Sequence, residues 1–164
     1  MRDSDKSNNP LPFSEIDAYS DKFNAETVIN RMIEGLGFRY YWATDGLRDI
    51  DLSYKPSDDS RSSLDVLQHI YGLTEMVIFA FQNKEYPTET KYEMTFTEYR
   101  TETLLNLKKI SDMLMREVKI SEVSVKINFG GQSMSFPFWN AINGPLSDAI
   151  WHTGQIASNR RASG

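Results

Sequence analysis

The chain carries two histidines and no cysteine, so metal-ligand or acid–base chemistry near neutral pH has to be built on His69, His152 and nearby carboxylates. His69 stands three residues after Val66 and four before Leu73, and His152 stands three after Ala149 and four before Ile156. Residues three and four apart share a helix face, so each imidazole borders an apolar ridge and can point into a helical core. A polar ridge runs beside the second one through Asp148, His152, Gln155 and Asn159. An aspartate and a histidine at i and i+4 can reach one ion. With His69 from another helix they form a set of two neutral nitrogens and one carboxylate oxygen, with positions left for water or substrate. Such a set accepts a divalent transition metal: zinc, nickel, manganese or iron. Gln155 is placed either to orient a ligand or a bound water or to make a capping or interhelix hydrogen bond. Spacing alone leaves a second reading open, because an Asp–His pair at i and i+4 is also an ordinary helix contact of about 0.2–0.5 kcal/mol.

The elements that must position these residues follow from periodicity. Residues 1–23 are polar, carry Pro10 and Pro12, and read as an extended arm whose Phe13 and Ile16 lie against a core. A helical domain is expected over 24–164. Its first helix starts at Asn24 as N-cap and follows Ile29, Met32, Ile33, Leu36, Tyr40, Ala43 and Leu47, with Gly35 and Gly37 marking either a break in the helix or close approach by a neighbour. Residues 49–59 read as a loop that returns Leu52 and Tyr54 to the domain. The second helix starts near 60–63, buries Val66, Ile70, Leu73, Val77 and Phe81, and stops near Asn83 ahead of Pro87. A polar connection leads to a third helix, capped by Thr97, with the ridge Leu104, Leu107, Ile110, Leu114 and Val118. Residues 123–138 then alternate with period two around Gly130-Gly131. They predict a β-hairpin that pairs Val125 with Phe136, Ile127 with Met134 and Phe129 with Gln132 and leaves one face apolar. The last helix runs from about Phe138 through Ile142, Leu146, Ala149, Ile150, Thr153, Ile156 and Ala157 to Arg160-Arg161; Pro145 either kinks it or starts its second part. The expected fold is all-α, an antiparallel four-helix bundle with a small β-hairpin before the last helix.

Composition narrows the function classes. Among 164 residues, 23 acids against 18 bases give a net charge of -5, which argues against a sequence-independent hold on nucleic acid. A chain of this length buries on the order of 70% of its unfolded surface without staples. The lack of cysteine excludes disulfides, thiolate zinc sites, iron–sulfur clusters and a cysteine nucleophile. No apolar stretch approaches the roughly 20 residues of a membrane span, and Met1 to Asn9 has no signal-type apolar region, so a cytoplasmic location and no membrane partner are expected. Nucleotide-binding, esterase and zincin motifs are absent. Tyr40, Tyr41, Trp42, Trp139 and Trp151 exceed what one core absorbs, which predicts a homodimer.

Three segments resemble a known family: Leu67-Gln68-His69-Ile70, the run from Asp148 to Ile156 with its His152-Thr153-Gly154-Gln155, and the closing Arg160 to Gly164. They are similar to the DinB-like superfamily of four-helix-bundle proteins, over roughly residues 24–164. The resemblance implies a divalent metal held by a histidine of the second helix, matched by His69, and by an H-x-x-x-H pair on the fourth, whose last member is matched by His152. Asp148 departs from the pattern where the pair's first histidine stands, and a carboxylate there is a harder, charged ligand. Related branches include thiol-dependent transferases, in which the metal activates a small thiol and no protein nucleophile is needed. Two readings follow for this chain. One is a metal-dependent transferase or hydrolase acting on a small-molecule substrate; the alternative is a non-catalytic ligand-binding or interaction bundle that has lost the metal.

Overall fold

The computed structural model describes residues 10–116 and 118–164. The Met1 to Asn9 stretch, and with it the first part of the expected arm, lies outside the described residues. The chain is mostly helical, with a small three-stranded sheet. Helix α1 (Ala25–Thr44) starts at the expected Asn24, whose side chain accepts from the Thr27 backbone N–H. It buries Ile29, Ile33, Leu36 and Tyr40, and Leu47 reaches the same core from beyond its end. The segment expected to be a loop contains a five-residue helix, α2 (Asp49–Ser53). Asp51, three residues into the helix, reaches back and accepts from the backbone N–H of Arg48 at its N-cap, a capping contact that closes the first turn of α2.

Helix α3 (Ser63–Phe81) is closed at its N-terminus by Ser62 and Asp65 in a reciprocal capping box. An 18-residue window of this 19-residue helix has a mean hydropathy of 1.2, which by length and composition matches a membrane span. This differs from the expectation that no such stretch exists. The apolar length serves the core: Val66, Leu67, Ile70 and Val77 are all fully buried. A short strand, β1 (Glu85–Pro87), occupies the stretch read as a polar connection. Helix α4 (Phe96–Leu114) is capped by Thr95, not Thr97, because Thr95 forms the box with Glu98. The helix ends before Val118, which therefore leaves the expected ridge.

Strands β2 (Ser124–Phe129) and β3 (Gln132–Pro137) form the predicted hairpin in the predicted register, with Gly130 and Gly131 both at positive φ. Strand β1 adds to β2 in parallel, Tyr86 opposite Ile127. Only the Val125 end of the hairpin face is buried; Phe129 is 67% exposed. A three-residue helical turn, α5 (Trp139–Ala141), leads through a wide π-type turn (Ile142–Leu146) into α6 (Ser147–Ala162). Pro145 thus does both things left open for it: it sits in a kink, with Gly144 at φ -107 and ψ -108, and leads directly into the straight helix.

The four long helices form a closed set, in which α1 and α3 each pack against both α4 and α6. The arm crosses α1 where Gly37 stands: a Cβ there would lie 2.5 Å from the Phe13 ring. Of the surplus aromatics, Tyr40 belongs wholly to the core, whereas Trp42, Trp139 and Trp151 are 51%, 74% and 78% exposed. Ile150 also differs from expectation. It faces outward, because it lies on the side of α6 away from Ala149, Thr153 and Ile156.

Candidate metal centre

Two local decisions place the candidate ligands. On α3, the Ser62 cap fixes where the helix starts and therefore which face His69 presents, two turns later. On α6, the kink precedes Asp148 by a single turn: the Pro145 ring removes one backbone donor and displaces the preceding turn, so the helix carrying Asp148 and His152 takes a new direction. Ser147 closes the kink by donating from Oγ to the Ile142 carbonyl at 2.6 Å. The two helices are registered by Asn159, which is buried and donates to Ser63 Oγ at 3.2 Å. Moving from Ser63 to His69 along α3 corresponds to moving backwards from Asn159 to His152 and Asp148 along α6. The two helices are therefore antiparallel, with the imidazoles brought together about two turns from the Asn159 contact.

The three side chains converge. His69 Nε2 lies 3.0 Å from Asp148 Oδ2, and His152 Nε2 lies 3.4 Å from Asp148 Oδ1. The carboxylate offers one oxygen to each imidazole. The rings are nearly perpendicular, with centroids 4.8 Å apart, and the three prospective ligand atoms all lie within 4.8 Å of one another. A tetrahedral ion with bonds of about 2.1 Å holds its ligands about 3.4 Å apart, so separations of this size fit a first-row divalent ion after small side-chain adjustments. The donor set fits as well, since two imidazoles and one carboxylate suit zinc, nickel, manganese or iron. His152 is the most enclosed of the three, its side chain 16% exposed against 33% for His69 and 44% for Asp148.

Gln155 stands beside His152. Its Oε1 lies 2.9 Å from His152 Nδ1. An amide oxygen only accepts, so in this contact Nδ1 is the donor, and Nε2 is the atom turned towards Asp148. Asn159, the last member of the polar ridge, has a structural part only.

Two clefts border the cluster. One, of about 470 Å³, has His69 on its wall, and the other, of about 440 Å³, has Asp148; Leu73 and Met76 line both. Tyr86 and Tyr92 line the first as well. Neither tyrosine emerges from the sequence reading. A three-residue strand with a proline in it has too few positions to show alternation, and the residues opposite it lie some 40 positions away. The one local cue is Gly72, a helix-interior glycine three residues after His69. Comparison with models of known protein families, with curated proteins and with solved structures finds no match.

Proposed function

We propose that this chain is a divalent-metal-binding protein built as a DinB-like antiparallel four-helix bundle, and that it acts as a metal-dependent transferase or hydrolase on small molecules. One observation carries the reading: two histidines and an aspartate, from helices 79 residues apart, bring three donor atoms together beside two open clefts. His69, Asp148 and His152 would hold the ion. When bound, a divalent ion with positions open to solvent supplies a Lewis acid that lowers the pKa of a small thiol or water. The chain's own residues do the rest. Gln155 keeps the His152 proton on Nδ1, Asp148 supplies the negative charge, and Leu73 with Met76 presents an apolar surface to the substrate on either side of the cluster.

A second reading has one observation in its favour. Asp148 faces both imidazoles with one oxygen each, the arrangement of an ion-pair clasp between α3 and α6 in a non-catalytic bundle whose two rings carry protons on Nε2. Metal content separates the two. Protein purified without chelators and incubated with zinc, nickel, manganese or iron is expected to hold about one equivalent by mass spectrometry. His69→Ala and His152→Ala should each lose it while staying folded by circular dichroism. No metal in the parent under any of these conditions would leave the clasp as the correct reading.

A further inference from the structure

We infer that Tyr86 and Tyr92 form the polar anchor of a substrate seat beside the His69–Asp148–His152 cluster. The seat fits a small molecule with an accepting carbonyl about one helical turn from the group that reaches the cluster, and with an apolar flank along Leu73 and Met76. The inference rests on the metal reading above and names the substrate class for that site.

The floor of the seat is the face of α3 that carries His69. Gly72 is one turn further along the same face, about 4.5 Å up the helix axis. A Cβ at Gly72 would meet Tyr86 Oη at 3.2 Å and Tyr92 Cε2 at 3.7 Å. The missing side chain is thus the space in which both phenols come down onto the helix. Each ring is held from outside the seat. Tyr86 is the inward residue of β1, and its ring stands edge-on to Phe79 with centroids 5.6 Å apart. The Tyr92 carbonyl accepts from Gln68 Nε2 and from Tyr99 Oη, both at 2.8 Å, and its ring stands at 88° to that of Tyr71. Gln68 immediately precedes His69, so one turn of α3 positions both the candidate ligand and the anchor.

Tyr86 Oη and Tyr92 Oη are 3.3 Å apart and share one hydrogen bond. Two phenols carry two protons, and the second has no acceptor among the described residues. Burial raises the pKa of both phenols, which keeps them protonated as donors at neutral pH. The wall of the cleft therefore offers one O–H to a ligand, and the ligand atom that meets it must accept. A carbonyl does so. Leu73 and Met76, which continue from this cleft into the one bordered by Asp148, supply the apolar flank.

Two hydroxamate probes test the anchor on the full-length chain loaded with cobalt(II), titrated through the visible cobalt spectrum. Levulinohydroxamate carries a ketone where valerohydroxamate has a methylene, and both chelate the ion identically. The parent should prefer the ketone probe about fivefold, the worth of one hydrogen bond. The double variant Tyr86→Phe with Tyr92→Phe keeps both rings and should lose that preference, with cobalt stoichiometry and valerohydroxamate affinity unchanged. Either single variant frees the remaining phenol's proton and should retain it. Gly72→Ala keeps both hydroxyls but narrows the floor, and should weaken both probes severalfold with cobalt still bound. Cobalt binding without a ketone preference in the parent, a preference that survives the double variant, or probe affinities indifferent to Gly72→Ala would overturn the anchor and leave the metal reading intact. Failure of the parent to bind cobalt would overturn both.

Discussion

Replacing Gln155 by leucine removes the acceptor of His152 Nδ1 without touching any candidate ligand. The bond it removes is 2.9 Å long and lies beside an imidazole only 16% exposed, so water replaces it poorly. Loss of such an outer hydrogen bond costs about 10–100-fold in metal affinity, or about 1.4–2.7 kcal/mol. Competition against a chromophoric zinc chelator reads this directly. Melting provides an independent check. Zinc at about a hundred times its dissociation constant stabilises the parent by about 2.7 kcal/mol. A tenfold loss of affinity removes about half of that, which for a domain of this size lowers the zinc-bound Tm by about 3–5 °C. The melting temperature measured in chelator should fall by less than the zinc-bound one, because only the latter also registers the lost metal affinity. Gln155→Glu, which still accepts from Nδ1–H, should bind zinc within a few-fold of the parent. A Gln155→Leu protein with parental zinc affinity, alongside a His152→Ala protein that has lost the metal, would refute the assignment of the His152 tautomer to Gln155.

Three further outcomes test the scaffold. Gly37→Ala should destabilise the protein by about 1–3 kcal/mol in urea unfolding, because the new methyl collides with the Phe13 ring; limited proteolysis should cut the displaced arm faster, and a stabilised variant would contradict the packing. Asp51 is buried and accepts from the Arg48 side chain, the Ser163 hydroxyl and the Arg48 backbone N–H. These contacts, the Arg48 side chain first, hold its carboxyl far below the usual carboxylate range. A depressed folded-state pKa contributes stability that is complete above the unfolded value, about 3.9, and is lost as pH falls below it. Asp51→Asn should therefore lower the Tm at pH 7, and its difference from the parent should shrink progressively below pH of about 4. Asn24→Ala should cost about 1 kcal/mol in urea unfolding through loss of the α1 cap.

Local chemistry accounts for what was legible in the chain. Periodicity located the ridges Ile29 to Tyr40, Val66 to Val77 and Leu104 to Leu114, because a long helix repeats its buried face often enough to average out exceptions. Gly130-Gly131 fixed the hairpin register, since a two-residue turn admits one pairing. The same spacing rule put Asp148, His152 and Gln155 on one face of one helix, and that is also how they stand.

Contacts between distant segments decided everything that periodicity cannot reach. That His69 meets Asp148 depends on the Asn159–Ser63 contact and on the kink at Gly144 and Pro145, which set how α6 lies against α3. Strand β1 exists because β2, far along the chain, offers it an edge, and three residues with a proline have no independent strand preference. Tyr86 and Tyr92 reach the cleft only through that pairing and through the Gln68 and Tyr99 bonds to the Tyr92 carbonyl. Side-chain types and their spacing along a helix are local properties, and they were enough to nominate His69, Asp148 and His152 with Gln155. Which helix faces which, and which loop closes over the result, are set by packing between segments tens of residues apart, and only the tertiary structure carries that information.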